Sequence, residues 1–243
     1  MSAKEIVVDG ISKSFGTLQV VEDVSLDVRD GEFVAIVGPS GCGKSTLLNI
    51  IAGFERADRG VVKIDGIKRK GPSPNGIMIS QHGSVFPWLT VQQNLLFALS
   101  GTSHRDHGML AHRYIEMVGL SGFERAYPHE LSGGMLKRVE MARALVVKPA
   151  ILYMDEPFSA LDALMSLRMQ TELRRILEEE RHTVMLITHD VEEAIFLADR
   201  ILVLSPRPTT IQTTFDVDLP HPRKLSDPRA QELREAILKE IGL

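Results

Sequence analysis

Gly38-Pro39-Ser40-Gly41-Cys42-Gly43-Lys44-Ser45 fits a template of glycine, a spacer, then glycine, lysine and serine. The glycines let the backbone curl so that successive N–H groups converge on one anion. A helix that follows aims its positive end at the same point. Lys44 adds a full charge for the β- and γ-phosphates of a nucleotide, and Ser45 offers an oxygen to Mg²⁺. A second stretch, Ile151-Leu152-Tyr153-Met154-Asp155-Glu156, reads as a buried strand delivering two acids. In that Walker B pattern Asp155 holds Mg²⁺ through water, and Glu156 takes a proton from the attacking water.

Both stretches need a strand-to-turn context, and the chain supplies it. Phe33-Val34-Ala35-Ile36-Val37 leads into the glycine turn, and a helical run from Thr46 to Ala52 leads out. Strands are expected at residues 5–8, 25–28, 32–37, 61–64, 77–79, 150–154, 183–187 and 200–204. Gln81 then follows a strand, on the sheet edge where phosphates sit in open α/β sheets. Phe15-Gly16 is expected on a loop. Residues 90 to 147 read as helical throughout, with candidates at 91–99, 107–118 and 135–147. Further helices are expected at about 163–181, with an apolar stripe of Leu164, Leu167, Leu173, Ile176 and Leu177, and at 191–199. Past residue 205 prolines accumulate, and Asp227-Pro228 marks the start of a last helix faced by Leu233, Ile237 and Ile241.

Bulk properties narrow the function classes. The 243 residues are 44% hydrophobic and 25% charged, an ordinary globular mixture with room for one large α/β domain or two small ones. Net charge is −4, so no basic face announces a nucleic acid. No apolar run is long enough to span a membrane, and Met1-Ser2-Ala3-Lys4-Glu5 lacks the pattern of a signal peptide. The single cysteine, Cys42, excludes an internal disulfide and suits a reducing cytosol. Beside a helix N-terminus its thiolate is favoured; the plainer reading is a small residue that fits the turn.

Asp155-Glu156-Pro157 continues to Ser159-Ala160-Leu161-Asp162, Leu131-Ser132-Gly133-Gly134-Met135 and Arg138 lie upstream, and Thr188-His189-Asp190 ends a later strand. With these residues the chain, from Ile6 to Leu204, resembles the nucleotide-binding subunits of ATP-binding cassette (ABC) transporters. The resemblance implies a P-loop NTPase fold with an antiparallel β subdomain and an all-helical subdomain, about residues 87–147, inserted before the signature stretch. Residues 1–204 then form the cassette, and 205–243 a short Pro-rich extension ending in a helix. It implies that Phe15 stacks on adenine with Val20 packing nearby, and that Gly38 to Thr46 wrap the phosphates. Gln81 contacts Mg²⁺ and water, Glu156 is the base, and His189 touches the γ-phosphate. Ser132, Gly133 and Gly134 cap a nucleotide held by a second copy of the chain, and Asp162 also crosses that interface. Ser132 and the two glycines precede a helix, so they form another helix N-terminus suited to an anion.

The signature departs from the family at Met135, where glutamine is usual. Phe86-Pro87-Trp88-Leu89-Thr90-Val91, Tyr127-Pro128-His129 and Leu204-Ser205-Pro206-Arg207-Pro208 are similar to importers of nitrate, taurine and alkanesulfonates, and also to relatives for heterocyclic compounds. The resemblance implies ATP and Mg²⁺ as cofactors, a separate membrane permease, indirectly a solute-binding protein, and a place on the cytoplasmic face of the inner membrane. Trp88 either docks the permease or packs the helical insert. An exporter or lipid-transport ATPase is an alternative. A soluble ABC ATPase acting on DNA or ribosomes is disfavoured by the lack of a long heptad insertion.

Overall fold

The computed structural model describes residues 5–81, 83–102, 106–179 and 181–242. The N-terminal residues Met1 to Lys4 and the expected acidic helix end at Glu180 lie outside the described residues. In chain order the elements are β1 (Ile6–Phe15), β2 (Leu18–Val28), β3 (Phe33–Val37), α1 (Lys44–Ala52), β4 (Arg59–Ile64), β5 (Ile67–Lys68), β6 (Gly76–Ile79), α2 (Val91–Leu99), α3 (His107–Met117), α4 (Gly133–Leu145), β7 (Ile151–Asp155), α5 (Ala163–Glu179), β8 (Thr183–Ile187), α6 (Val191–Leu197), β9 (Arg200–Leu204), β10 (Ile211–Asp216) and α7 (Pro228–Ile241). They divide into two compact units. One holds residues up to Gly76, Ala150–Asp155 and the part after Glu180; the other holds Ile77–Pro149 and Glu156–Glu180.

The first unit contains two sheets. The antiparallel one runs β2-β1-β4-β5. In the other, β10-β9-β3-β8-β7 lie side by side, with β3, β8, β9 and β7 parallel and β10 antiparallel at the edge. Every residue of β3, β7 and β8 is buried, the pattern of strands covered on both faces. That is why these three read as continuous apolar runs.

The β1–β2 hairpin is longer than its sequence implies. The expected strands at 5–8 and 25–28 are the outer ends of strands that meet at Phe15↔Leu18, so Phe15 ends a strand and the turn is Gly16-Thr17. Register shifts between Val8 and Ser14 break the two-residue alternation there. β10 was not expected: its residues Ile211, Thr213 and Phe215 are only half-buried, so no strong apolar face marks it.

Arg223 fastens the C-terminal stretch to this unit. Its side chain is buried and donates to the carbonyls of Leu219 (3.1 Å), Ile195 (2.8 Å), Ala198 (2.5 Å) and Val217 (3.2 Å). Two of those carbonyls, Ile195 and Ala198, belong to the last turn and cap of α6, where orphan acceptors collect. Asp227 caps α7 by accepting from the Arg229 N–H at 2.9 Å, and Pro228 opens the helix, as the sequence predicts.

The second unit is built on helices. Thr90 caps α2, accepting from the Gln93 N–H while the Gln93 side chain accepts from the Thr90 N–H at 3.0 Å. Asn94, fully buried, accepts from the Phe86 N–H and donates to the carbonyls of Phe86, Leu89 and Thr90. The 86–90 segment is thereby held onto α2. The expected stripe on α5 holds only in part. Leu173 and Ile176 are buried with Met169, whereas Leu164 is 76% and Leu167 52% exposed. The opening turns of α5 thus present apolar side chains to solvent.

Candidate nucleotide site

In the first unit the parallel strands fix where the chemistry gathers. Ile36 of β3 pairs with Ile187 of β8, and Ile187 pairs with Asp155 of β7. The glycine turn after Val37, the carboxyl of Asp155, and His189 two residues past Ile187 therefore leave one sheet at the same C-terminal edge. That edge is where open α/β sheets bind ligands. The Thr188 N–H donates to the Ile36 carbonyl at 3.3 Å, tying the His189 segment to the strand before the turn. Asp155 is 5% exposed, and His189 is exposed.

Gly43 is held at φ 128° with no room for a side chain, since a Cβ there would lie 2.8 Å from Val20 Cγ1. Val20, which the family resemblance implies lies near the adenine, thus packs directly on the turn. Lys44 starts α1 and is buried, its Nζ donating to the carbonyls of Gly38 (2.8 Å) and Pro39 (2.9 Å). The ammonium is thereby held against the first two residues of the turn. Phe15, half-exposed at the hairpin tip, lines a 260 Å³ recess with Thr46 and Asn49 of α1, Phe54 and Glu55. Lys13 Nζ sits 5.0 Å from the Phe15 ring centroid. Ser45 lies in the first turn of α1, and Asp155 ends β7. Their hydroxyl and carboxylate oxygens are hard donors of the kind Mg²⁺ takes while keeping most of its waters.

One support of this turn escaped the sequence. The Thr209 hydroxyl donates to the Cys42 carbonyl, and Thr209 exchanges backbone hydrogen bonds with Val20 (2.9 Å) and Glu22 (3.0 Å). A threonine after Pro-Arg-Pro carries no signal of such a contact, because it depends on β9 running beside β3. Cys42 itself is 2% exposed. Its enclosure favours the reading of a small residue that fits over that of a reactive thiol.

In the second unit, Ser132 caps α4, its hydroxyl accepting from the Met135 N–H at 3.3 Å. The helix begins at Gly133, two residues earlier than expected, so Gly133 and Gly134 point first-turn N–H groups outward rather than forming a loop. Gly134 packs on the backbone; a Cβ there would lie 3.1 Å from the Ala160 carbonyl oxygen. Leu131 and Met135 are half-buried, while Ser132 is exposed. Asp162 accepts from the Met165 N–H at 3.0 Å at the head of α5. Its charge also faces Arg138, whose guanidinium caps α3 through the carbonyls of Val118 and Gly119. Gln81 is exposed and lines a 350 Å³ recess with Gly133, Lys137, Glu140 and Ala160. Glu156 stands at φ 48°, a left-handed conformation costly for a residue with a side chain. The Ser159 hydroxyl secures it by donating to the Glu156 carbonyl at 3.0 Å.

A P-loop after β3, a histidine beyond the neighbouring β8, an acid ending β7 on the far side of β8, and a separate helical unit with Ser-Gly-Gly at the head of α4 define a class of nucleotide-hydrolysing cassette. The model of the ABC transporter family matches residues 21–159. The chain belongs to that family, as an ATP-hydrolysing cassette. It is 41% identical over 240 residues to the aliphatic sulfonates import ATP-binding protein SsuB of Bacillus cereus (strain ATCC 10987 / NRS 248), covering 97% of this chain and 95% of that one. It is 41% identical over 240 residues to the uncharacterized ABC transporter ATP-binding protein MJ0412 of Methanocaldococcus jannaschii, with 96% and 90% covered. Among solved structures, the dimeric structure of MJ0796, described as a bacterial ABC transporter cassette, superposes with a TM-score of 0.79 at 30% identity, over 88% of this chain and 99% of that one. A second structure of that cassette, in a post-hydrolysis state bound to ADP and Pi, gives 0.79 at 28% identity, with the same shares covered.

Proposed function

We propose that this chain is the motor subunit of an import system, working as a pair of identical copies beneath a separate membrane permease. The carrying observation is the common edge on which the P-loop turn, Asp155 and His189 leave the parallel sheet. Lys44 and the turn's N–H groups bind and orient the triphosphate. Glu156 accepts a proton from the attacking water, and His189 balances charge developing on the γ-phosphoryl oxygens. Ser45 and Asp155 would hold Mg²⁺ as a source of positive charge at the phosphates, and Gln81 is read as a further contact for metal and water. Phe15 and Val20 hold the adenine. Leu131 to Met135 and Asp162 serve the nucleotide of the other copy, so hydrolysis waits for the pair to close.

The permease is met by the second unit. Phe86 packs on Trp88 (5.5 Å between ring centroids) and on Phe97 (4.8 Å), and Trp88 is 69% exposed, leaving an aromatic patch for an apolar helix. The likeness to sulfonate-import ATP-binding proteins favours a small solute of the sulfonate, taurine or nitrate kind, delivered by a solute-binding protein outside the membrane. The chain then sits on the cytoplasmic face, and among the described residues no helix is long and apolar enough to cross a membrane. The test is reconstitution with a membrane permease that co-purifies with the chain. ATPase activity is expected to rise several-fold with binding protein carrying a sulfonate, and Lys44→Ala to abolish nucleotide binding in calorimetry. Stimulation only by a lipid or by an exported drug would replace import with the exporter reading.

A further inference from the structure

Along α4, within the second unit, three charged side chains follow at three-residue steps: Lys137, Glu140 and Arg143. Lys137 and Glu140 are buried, at 6% and 1% exposure, and pair at 3.1 Å. Lys137 Nζ also donates to the Ser80 carbonyl at 2.5 Å, and the Ser84 hydroxyl donates to Glu140 Oε1 at 2.8 Å. Arg143 Nη2 donates to the Ser84 oxygen at 2.5 Å and lies 4.9 Å from the Phe86 ring centroid. Gln81 falls between the two tethers. On one side Ser80 is held by the cation, on the other Ser84 by the anion.

We infer that the buried Lys137–Glu140 pair is a positioning pair for hydrolysis: it fixes the segment carrying Gln81 to the helix whose head is the Ser132–Gly134 turn. The inference rests on the reading of Gln81 as a residue that orients water and metal. Stability is a poor reason to bury such a pair, since desolvation of both ions offsets their attraction and apolar residues fill the same volume as well. What the ions add is direction. Each uses a remaining donor or acceptor on one particular atom, the Ser80 carbonyl or the Ser84 hydroxyl, so both of those residues follow α4. Through Arg143 and Phe86 the same helix reaches the aromatic patch at Trp88. A displacement of that patch by a partner is then delivered to Gln81 and to the head of α4 together.

The experiment measures steady-state ATP hydrolysis by the full chain carrying Ser84→Ala, Glu140→Gln or Lys137→Arg. Ser84→Ala takes one donor from Glu140 Oε1 but leaves the carboxylate's ion pair with Lys137 in place. Ser84→Ala and Glu140→Gln are expected to lower kcat about five- to tenfold, with KM for ATP within about twofold, the split expected when orientation rather than binding is lost. Lys137→Arg keeps both tethers in reach and retains most of kcat. Wild-type kcat in Ser84→Ala and Glu140→Gln would overturn the inference, as would a lowered melting temperature with kcat unchanged. Glu156→Gln run alongside separates the two levels: turnover surviving that change refutes the catalytic reading itself, whatever the tether variants do.

Discussion

A single hydroxyl shows how far residue-level environment departs from residue type. Tyr153 lies within the strand that delivers Asp155 and is 2% exposed. Its oxygen has no hydrogen-bond partner among the described residues. Burial pushes its ionisation well above the ordinary phenol value of 10.0, against a smaller opposite pull from Arg69. The folded state therefore holds this proton more tightly than the unfolded chain. The stability so gained is whole below about pH 10 and is lost as pH climbs from there toward the folded-state value. Tyr153→Phe is expected to keep or raise stability at neutral pH by about 1 kcal/mol and to shift alkaline unfolding upward, measured by denaturant titration at several pH values. A fall in stability at neutral pH would mean that the hydroxyl has a partner. At this scale much was legible in the sequence: the types and order of Gly38 to Ser45, Asp155 and His189 announce their edge. Lys137 and Glu140 were not, because a lysine and a glutamate on a helix look like a solvated face until Ser80 and Ser84 are found bonded to them.

Elements were legible in proportion to their burial. β3, β7 and β8 stand out as apolar runs because both faces are covered. β10 and the middle of the β1–β2 hairpin do not, since half-exposed strands with register shifts lose their alternation. The stripe on α5 misled at Leu164 and Leu167 because helical spacing marks a face without saying how far along it the cover extends. Arg223 illustrates an element secured from outside itself. Its guanidinium donates to the Ile195 and Ala198 carbonyls at the end of α6 from 25 or more residues further along the chain. Arg223→Ala is expected to lower unfolding free energy by about 3 kcal/mol, because the carbonyls are left without donors in a buried place. The check is a urea melt; a loss under about 1 kcal/mol would mean that water replaces the guanidinium.

For the whole molecule, the decisive question is which copy completes which site. If the Ser132–Gly134 turn serves the other copy's nucleotide, mixing Ser132→Arg chains with Glu156→Gln chains does not restore two working sites. A mixed pair has one site with both lesions and one with neither, so single-site hydrolysis returns in about half of the pairs when equal amounts mix at random. If each chain serves its own nucleotide, every site in the mixture carries one lesion and no activity returns. Rapid-quench measurement of ATP cleaved per pair distinguishes the two.

The Thr209 hydroxyl laid across the Cys42 carbonyl has a practical corollary. With one cysteine in 243 residues, a thiol-specific reagent has a single target, and that target is enclosed at the phosphate turn. Alkylation can proceed only when the buried thiol is exposed by local opening of the turn, so the labelling rate becomes a clock for that breathing. Nucleotide should slow the clock, and Thr209→Val should speed it, without any dye or tag being added to the chain.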